Sequence, residues 1–154
     1  QNALDYCQLN NINPDNIEVL NFYVNQLTDI SGIKLFKNLK TLGLQNNRLT
    51  DISVLKYLTE LKELYLTTNL KITDISYLSS LKKLKVLYLN NTGIKDISVI
   101  QDLNNLEYLD ISFLELESDQ IQYINSLKKL EELYCKNGFK DMKILESLNK
   151  RYYI

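Results

Sequence analysis

The chain has 154 residues, 45% of them apolar and 24% charged, enough for one domain with a buried core. Its 18 basic and 19 acidic residues leave a formal net charge of -1, which argues against a nucleic-acid partner, since that would need a concentrated basic surface. There is no histidine, which excludes imidazole general-base catalysis and His-ligated metal, and no apolar run nears the roughly 20 residues needed for membrane insertion.

Residues 1–16 stand outside any periodic pattern. Leu4, Cys7 and Leu9 fall at near-helical spacing and Pro14 closes the segment, so an N-terminal cap is expected there. The chain starts at Gln1 with no charged n-region or apolar h-region, the start of either a processed mature form or a cut segment.

From residue 17 to 138 one apolar ruler, L-x-x-L-x-L-x-x-N-x-L, returns about every 22 residues and predicts about six coils. It reads Ile17, Leu20, Phe22, Asn25, Leu27; then Leu39, Leu42, Leu44, Asn47, Leu49; then Leu61, Leu64, Leu66, Asn69, Ile72. It continues with Leu84, Leu87, Leu89, Thr92, Ile94, then Leu106, Leu109, Ile111, Leu114, Leu116, and closes with Leu130, Leu133, Cys135. The L-x-L step in each copy is a short strand, with apolar residues facing inward and the intervening ones outward. The Asn after it is expected to point inward and to satisfy backbone groups left free where the chain turns. The ladder lapses at Thr92 and Leu114, so the later coils are expected to be the less regular half.

The return legs carry Thr28-Asp29-Ile30-Ser31, Thr50-Asp51-Ile52-Ser53, Thr73-Asp74-Ile75-Ser76 and Lys95-Asp96-Ile97-Ser98. Asp and Ser are expected to cap a short helical turn while Ile enters the core. A 22-residue period leaves room for only a few residues of 3-10 or α geometry. The fifth copy, with Leu116-Glu117-Ser118-Asp119-Gln120, is longer, and its extra residues are expected to lengthen the helix from Ser118 or Asp119. Residues 139–154 are expected to form the last helix, opened by Asp141 with Ile144, Leu145 and Leu148 on one face, and a C-terminal cap, in which Arg151, Tyr152, Tyr153 and Ile154 finish the seal or continue into a further segment.

Leucine ruler and Asp-Ile-Ser element together resemble the internalin-like class of leucine-rich repeat proteins, over roughly Ile17 to Leu148. The proline that often follows that element in internalins is replaced by Gly32, Val54, Tyr77 and Val99. The resemblance implies an α/β fold, a right-handed leucine-rich repeat solenoid with a parallel sheet on the concave face and short 3-10 or α helices on the convex face. It also implies a bacterial surface or secreted protein that binds a partner protein on the concave sheet. The alternative is an intracellular scaffold or inhibitor that docks on an enzyme, which short 22-residue repeats also resemble. Cys7 and Cys135 lie about five strand steps, roughly 24 Å, apart, too far for a disulfide, and two unpaired thiols point toward a cytoplasmic setting. Cys135 fills an apolar slot and is read as a core residue.

Outward strand positions define the candidate binding face. Five of the eleven tyrosines fall on them: Tyr23, Tyr65, Tyr88, Tyr108 and Tyr134. Tyr65, Tyr88 and Tyr134 share one column, with Tyr108 one column away. Tyrosine joins an apolar ring to a hydroxyl, the profile of binding hot spots, although strands also favour it for structural reasons. Glu63, Asp110 and Glu132 make the face acidic, so the expected partner is a protein with a basic or mixed contact surface. Phe113 is an exposed aromatic candidate for which packing at the coil edge is the expected role. The acids sit on an open sheet without a pocket, and no phosphate loop, nucleophile elbow or metal spacing occurs among only four glycines. The chain is therefore not expected to be an enzyme or to carry a cofactor.

Overall fold

A computed structural model describes residues 11–148 and 150–154. Seven strands form one sheet in chain order, every neighbouring pair parallel: β1 (Val19–Asn21), β2 (Thr41–Gly43), β3 (Glu63–Tyr65), β4 (Val86–Tyr88), β5 (Tyr108–Asp110), β6 (Glu132–Tyr134) and β7 (Tyr152–Tyr153). Register follows the sequence period: Leu20, Leu42, Leu64, Leu87, Leu109 and Leu133 lie side by side. β1 to β6 span only three residues each because the ruler alternates only over L-x-L. The parallel arrangement follows from a return leg too long for a hairpin.

The return legs are 3-10 helices, Ser31–Leu35, Ser53–Tyr57, Ser76–Ser80 and Ser98–Asp102. Their start differs in one detail from the sequence reading. The Asp carboxylate alone accepts the helix-opening amide, from Ser31, Ser53, Ser76 and Ser98 at 2.7–2.8 Å, and the serine hydroxyls do not cap. That bond holds Asp51 and Asp74 below the usual carboxylate range. Ile30, Ile52, Ile75 and Ile97 turn inward, and Leu55, Leu78 and Ile100 follow them into one continuous core. In the fifth coil Ser118–Gln120 leads into α1 (Ile121–Ser126), lengthening the leg where the extra residues fall.

Asn47 and Asn69 of the ladder each bond to their own coil and to the one before it. Asn47 Nδ2 donates to Phe22, Leu44 and Gln45 carbonyls, while its Oδ1 accepts from the Asn25 and Leu27 amides. Asn69 Nδ2 donates to the Leu44 and Leu66 carbonyls at 2.9 Å, and its Oδ1 accepts from the Leu49 amide at 3.3 Å. Asn25 is exposed instead, its carboxamide reaching only the Tyr23 carbonyl. Irregularity is therefore not confined to the later coils. Every coil turns through one left-handed residue, at Val24, Asn46, Thr68, Asn91, Phe113 and Asn137, but the first and fifth coils need a second, at Gln26 and Glu115. Asn tolerates that region, while β-branched Val24 and Thr68 are held there under strain.

The third coil has an extra residue between Asn69 and Ile72, which pushes Leu70 to the surface. Gly93 of the next coil makes room for this bulge. A Cβ there would come within 2.8 Å of the Leu70 carbonyl oxygen and 3.0 Å of that of Ile72.

At the C-terminus the sheet goes on where a cap was expected. The helix Met142–Ser147 starts at Asp141, whose carboxylate accepts from the Lys143 amide, and the chain then adds β7 in register with β6. At the other end the first ten residues of the expected cap, Cys7 included, lie outside the described residues. The described remainder holds a 3-10 turn, Pro14–Asn16, capped by Asn13. Cys135 is fully buried, and burial pushes its thiol up to about 11, with Asp110 adding to the shift. Among the described residues no helix is long and apolar enough to cross a membrane.

Candidate functional site

In-register parallel strands bring the same position of successive coils about 4.8 Å apart, the spacing at which flat rings stack. The outward middle column runs Asn21, Gly43, Tyr65, Tyr88, Asp110, Tyr134, Tyr153. Tyr108 stands one column away, yet its ring leans over Asp110 and fills the gap between Tyr88 and Tyr134. The result is a five-ring stack, Tyr65–Tyr88–Tyr108–Tyr134–Tyr153, with centroids 5.0, 5.0, 5.1 and 4.7 Å apart and planes within 28° of parallel. Each stacked pair adds about 0.5–1.5 kcal/mol beyond the area it buries.

Of the sequence-selected residues, Tyr65, Tyr88, Tyr108 and Tyr134 are brought together in this stack. Glu63 and Glu132 join it through hydrogen bonds: the Tyr65 hydroxyl donates to Glu63 Oε2 at 3.0 Å and the Tyr134 hydroxyl to Glu132 Oε2 at 3.2 Å. Asp110 lies beneath the stack but is turned onto its own chain, accepting from the Ser112 amide at 2.9 Å. Tyr23 is apart, exposed on the first coil, with Gly43 interrupting the column before Tyr65. The carboxamides of Asn21 and Gln45 close over that glycine, so even a Cβ would come within 2.8–2.9 Å of their oxygens. Phe113 is exposed at the left-handed turn position rather than packed.

Tyr153 is the member that sequence reasoning missed. The ruler stops before it, and its only advance signal is the aromatic Tyr152-Tyr153 pair after a helix. Arg151 lies beside it, with the guanidinium carbon 5.3 Å from the Tyr153 ring centroid.

The stack is half-buried, and the hydroxyls of Tyr65, Tyr108 and Tyr134 are raised above the ordinary tyrosine value. Burial, then the Glu63 hydrogen bond, pushes Tyr65 up to about 12. Burial raises Tyr108 further, with hydrogen bonds to Tyr88 and Tyr134 adding to it. For Tyr134 the largest influence, the Tyr108 hydrogen bond, pulls down, but burial and Glu132 outweigh it and the group ends raised. A raised phenol favours the folded state in its neutral form, so the stability Tyr65 contributes is complete below pH 10 and is lost as pH climbs toward 12. In an alkaline ultraviolet titration, the phenolate signal lost in Tyr65→Phe should titrate near pH 12, and Glu63→Gln should lower it without restoring 10, because burial leads. A Tyr65 signal titrating at the ordinary value would show that the ring is not seated in the stack.

Charge on this face is unbalanced. Among the described residues five lysine–carboxylate pairs, each linking neighbouring coils, involve Glu18, Asp102, Glu60, Glu107 and Glu117. Glu63, Asp110 and Glu132 have no cation within ion-pair distance among the described residues. Nor, among those residues, are three or more His, Cys, Asp or Glu gathered as a metal site would need.

A family model described as leucine-rich repeats (2 copies) matches residues 15–57, 37–82 and 82–119. Among solved structures, an internalin (inlF) from Listeria monocytogenes aligns at 34% identity and a TM-score of 0.77, over 84% of this chain and 38% of its own. A second Listeria internalin, inlC2, aligns at 28% identity and a TM-score of 0.66, over 92% of this chain and 75% of its own. A leucine-rich repeat protein of Leptospira interrogans aligns at 29% identity and a TM-score of 0.62, over 80% of this chain and 33% of its own. This chain thus spans well under half the length of the inlF chain it resembles. No curated protein matches.

Proposed function

Because the chain belongs to the leucine-rich repeat family, whose stacked coils offer one continuous face to other proteins, we propose that it recognises a partner protein on its tyrosine-bearing sheet face. The observation that carries this reading is the five-ring tyrosine stack on the outward face of the sheet, flanked by carboxylates that have no cation within ion-pair distance among the described residues. The rings are immobilised by each other and by Glu63 and Glu132, so little side-chain entropy is lost on binding. The acidic flank favours a partner with a basic or mixed contact surface. Resemblance to internalins supports a bacterial surface or secreted setting. The face is open and carries its acids at the surface, which suits recognition without chemistry of its own.

The test is a pull-down with the wild type and with Tyr65→Ala/Tyr88→Ala/Tyr134→Ala, followed by an affinity measurement on any protein that the wild type retains. Loss of one aromatic hot spot is worth about 2 kcal/mol or more, so the triple variant should bind at least about thirtyfold more weakly. A variant of unchanged circular dichroism that keeps full affinity overturns the assignment to this face.

A further inference from the structure

Resting on that reading of the sheet face, we propose that the partner presents an extended segment with two cationic side chains, arginine foremost, four residues apart. One sits at Glu63 and the other at Glu132, with the rings from Tyr65 to Tyr134 spanning the distance between them.

The two seats are copies of one another. In each, a glutamate and a tyrosine occupy the first and third residues of a strand, and the phenol donates to Oε2 alone. Oε1 of both glutamates has no hydrogen bond among the described residues. Glu18 and Glu107, one residue before β1 and β5, take lysines from adjacent coils, whereas Glu63 and Glu132 have no Lys or Arg within ion-pair distance among the described residues and are open to a cation from another molecule. A carboxylate that a partner covers must receive a cation or lose more by desolvation than contact returns.

The distance between the seats selects the partner's geometry. Three ring steps of 5.0, 5.0 and 5.1 Å separate Tyr65 from Tyr134, about 15 Å in all. An extended chain rises about 3.3 Å per residue with same-side residues two apart, so positions i and i+4 span about 13 Å. Positions i and i+2 span about 7 Å and fall short, and i and i+8 overshoot at about 26 Å. Asp110, midway, is committed to the Ser112 amide and offers no third seat of the same kind. The stack already accepts one guanidinium, that of Arg151 over Tyr153. Arginine is favoured over lysine because its planar fork can pair with a carboxylate while lying against a ring.

The experiment uses fluorescence anisotropy in near-physiological salt with labelled peptides of about 12 residues and equal charge. Each carries two arginines on a Ser/Thr background, at i and i+2, i and i+4, or i and i+8. The i, i+4 peptide should bind about tenfold more tightly than either other, the difference one charge-assisted pair supplies. Glu63→Gln and Glu132→Gln should each abolish that preference, and replacing the arginines by lysine should weaken it. Equal affinity at all three spacings, no binding by any peptide, or a preference that survives both glutamine variants overturns the proposal. The two readings separate cleanly. If the triple tyrosine variant loses its captured partner while the peptides show no preference, the face stands and only the two-cation segment falls. If that variant keeps its partner, the face itself falls.

Discussion

Asn69→Ala is expected to destabilise the protein by about 3 kcal/mol, while Asn25→Ala, at the same position of the repeat, should cost no more than about 0.5 kcal/mol. Asn69 is wholly buried and serves two coils at once. Without it the Leu66 carbonyl and the Leu49 amide lose their side-chain partner, and the Leu44 carbonyl keeps only its bond from Asn47. Each buried group left unpaired costs about 1–3 kcal/mol. Asn25 lies in water and bonds only to the Tyr23 carbonyl two residues away. Thr92 is the intermediate case, a single bond from Oγ1 to the Leu89 carbonyl at 2.7 Å. Urea unfolding of the two alanine variants measures the contrast, and equal midpoints would show that the Asn ladder carries no special load.

Leu87→Ala should be at least as damaging, about 3–5 kcal/mol, because it opens a cavity at the centre of the array. Leu87 is fully buried on β4 with Leu64 and Leu109 on either side of it in the sheet. A solenoid has no contacts that bypass a coil, so its stability is close to a sum of coil terms and nearest-neighbour interfaces. A central defect therefore weakens two interfaces and uncouples the halves. Denaturant unfolding of Leu87→Ala should show a lower midpoint and a broader transition than the wild type. The same truncation at half-exposed Leu20, on β1, should lower the midpoint less and leave the transition sharp. A uniform, sharp transition for Leu87→Ala would mean that the coils unfold as one unit regardless of where the core is weakened.

The sheet face and the core answer to different demands. Ion pairs that tie coil to coil are exposed and worth little singly. The acids of the sheet face are not spent on such pairs, and the tyrosines there hold Glu63 and Glu132 in place rather than neutralise them. Stability comes from the leucines beneath, which leaves the outward residues free to differ from coil to coil without endangering the fold.

The repeat itself was legible because period and alternation act locally. A leucine every 22 residues, two apolar residues flanking one outward residue, and an Asp two before a Ser each specify their own few residues of backbone. Stacking like on like then leaves one way to bury the apolar face. The fold, the outward positions of Tyr65, Tyr88, Tyr108 and Tyr134, and the lengthened fifth leg all followed from that arithmetic. What the sequence could not contain is how side chains on different coils lean and pair. Only stacking decided that Tyr108 crosses a column to complete the ring stack, that Tyr153 joins it, and that Asn25 faces water while Asn47 and Asn69 face the core. The same lines of letters carry these opposite outcomes, because a ring or a carboxamide takes its orientation from neighbouring coils. Those neighbours are about 22 residues away along the chain and one strand's width away in space.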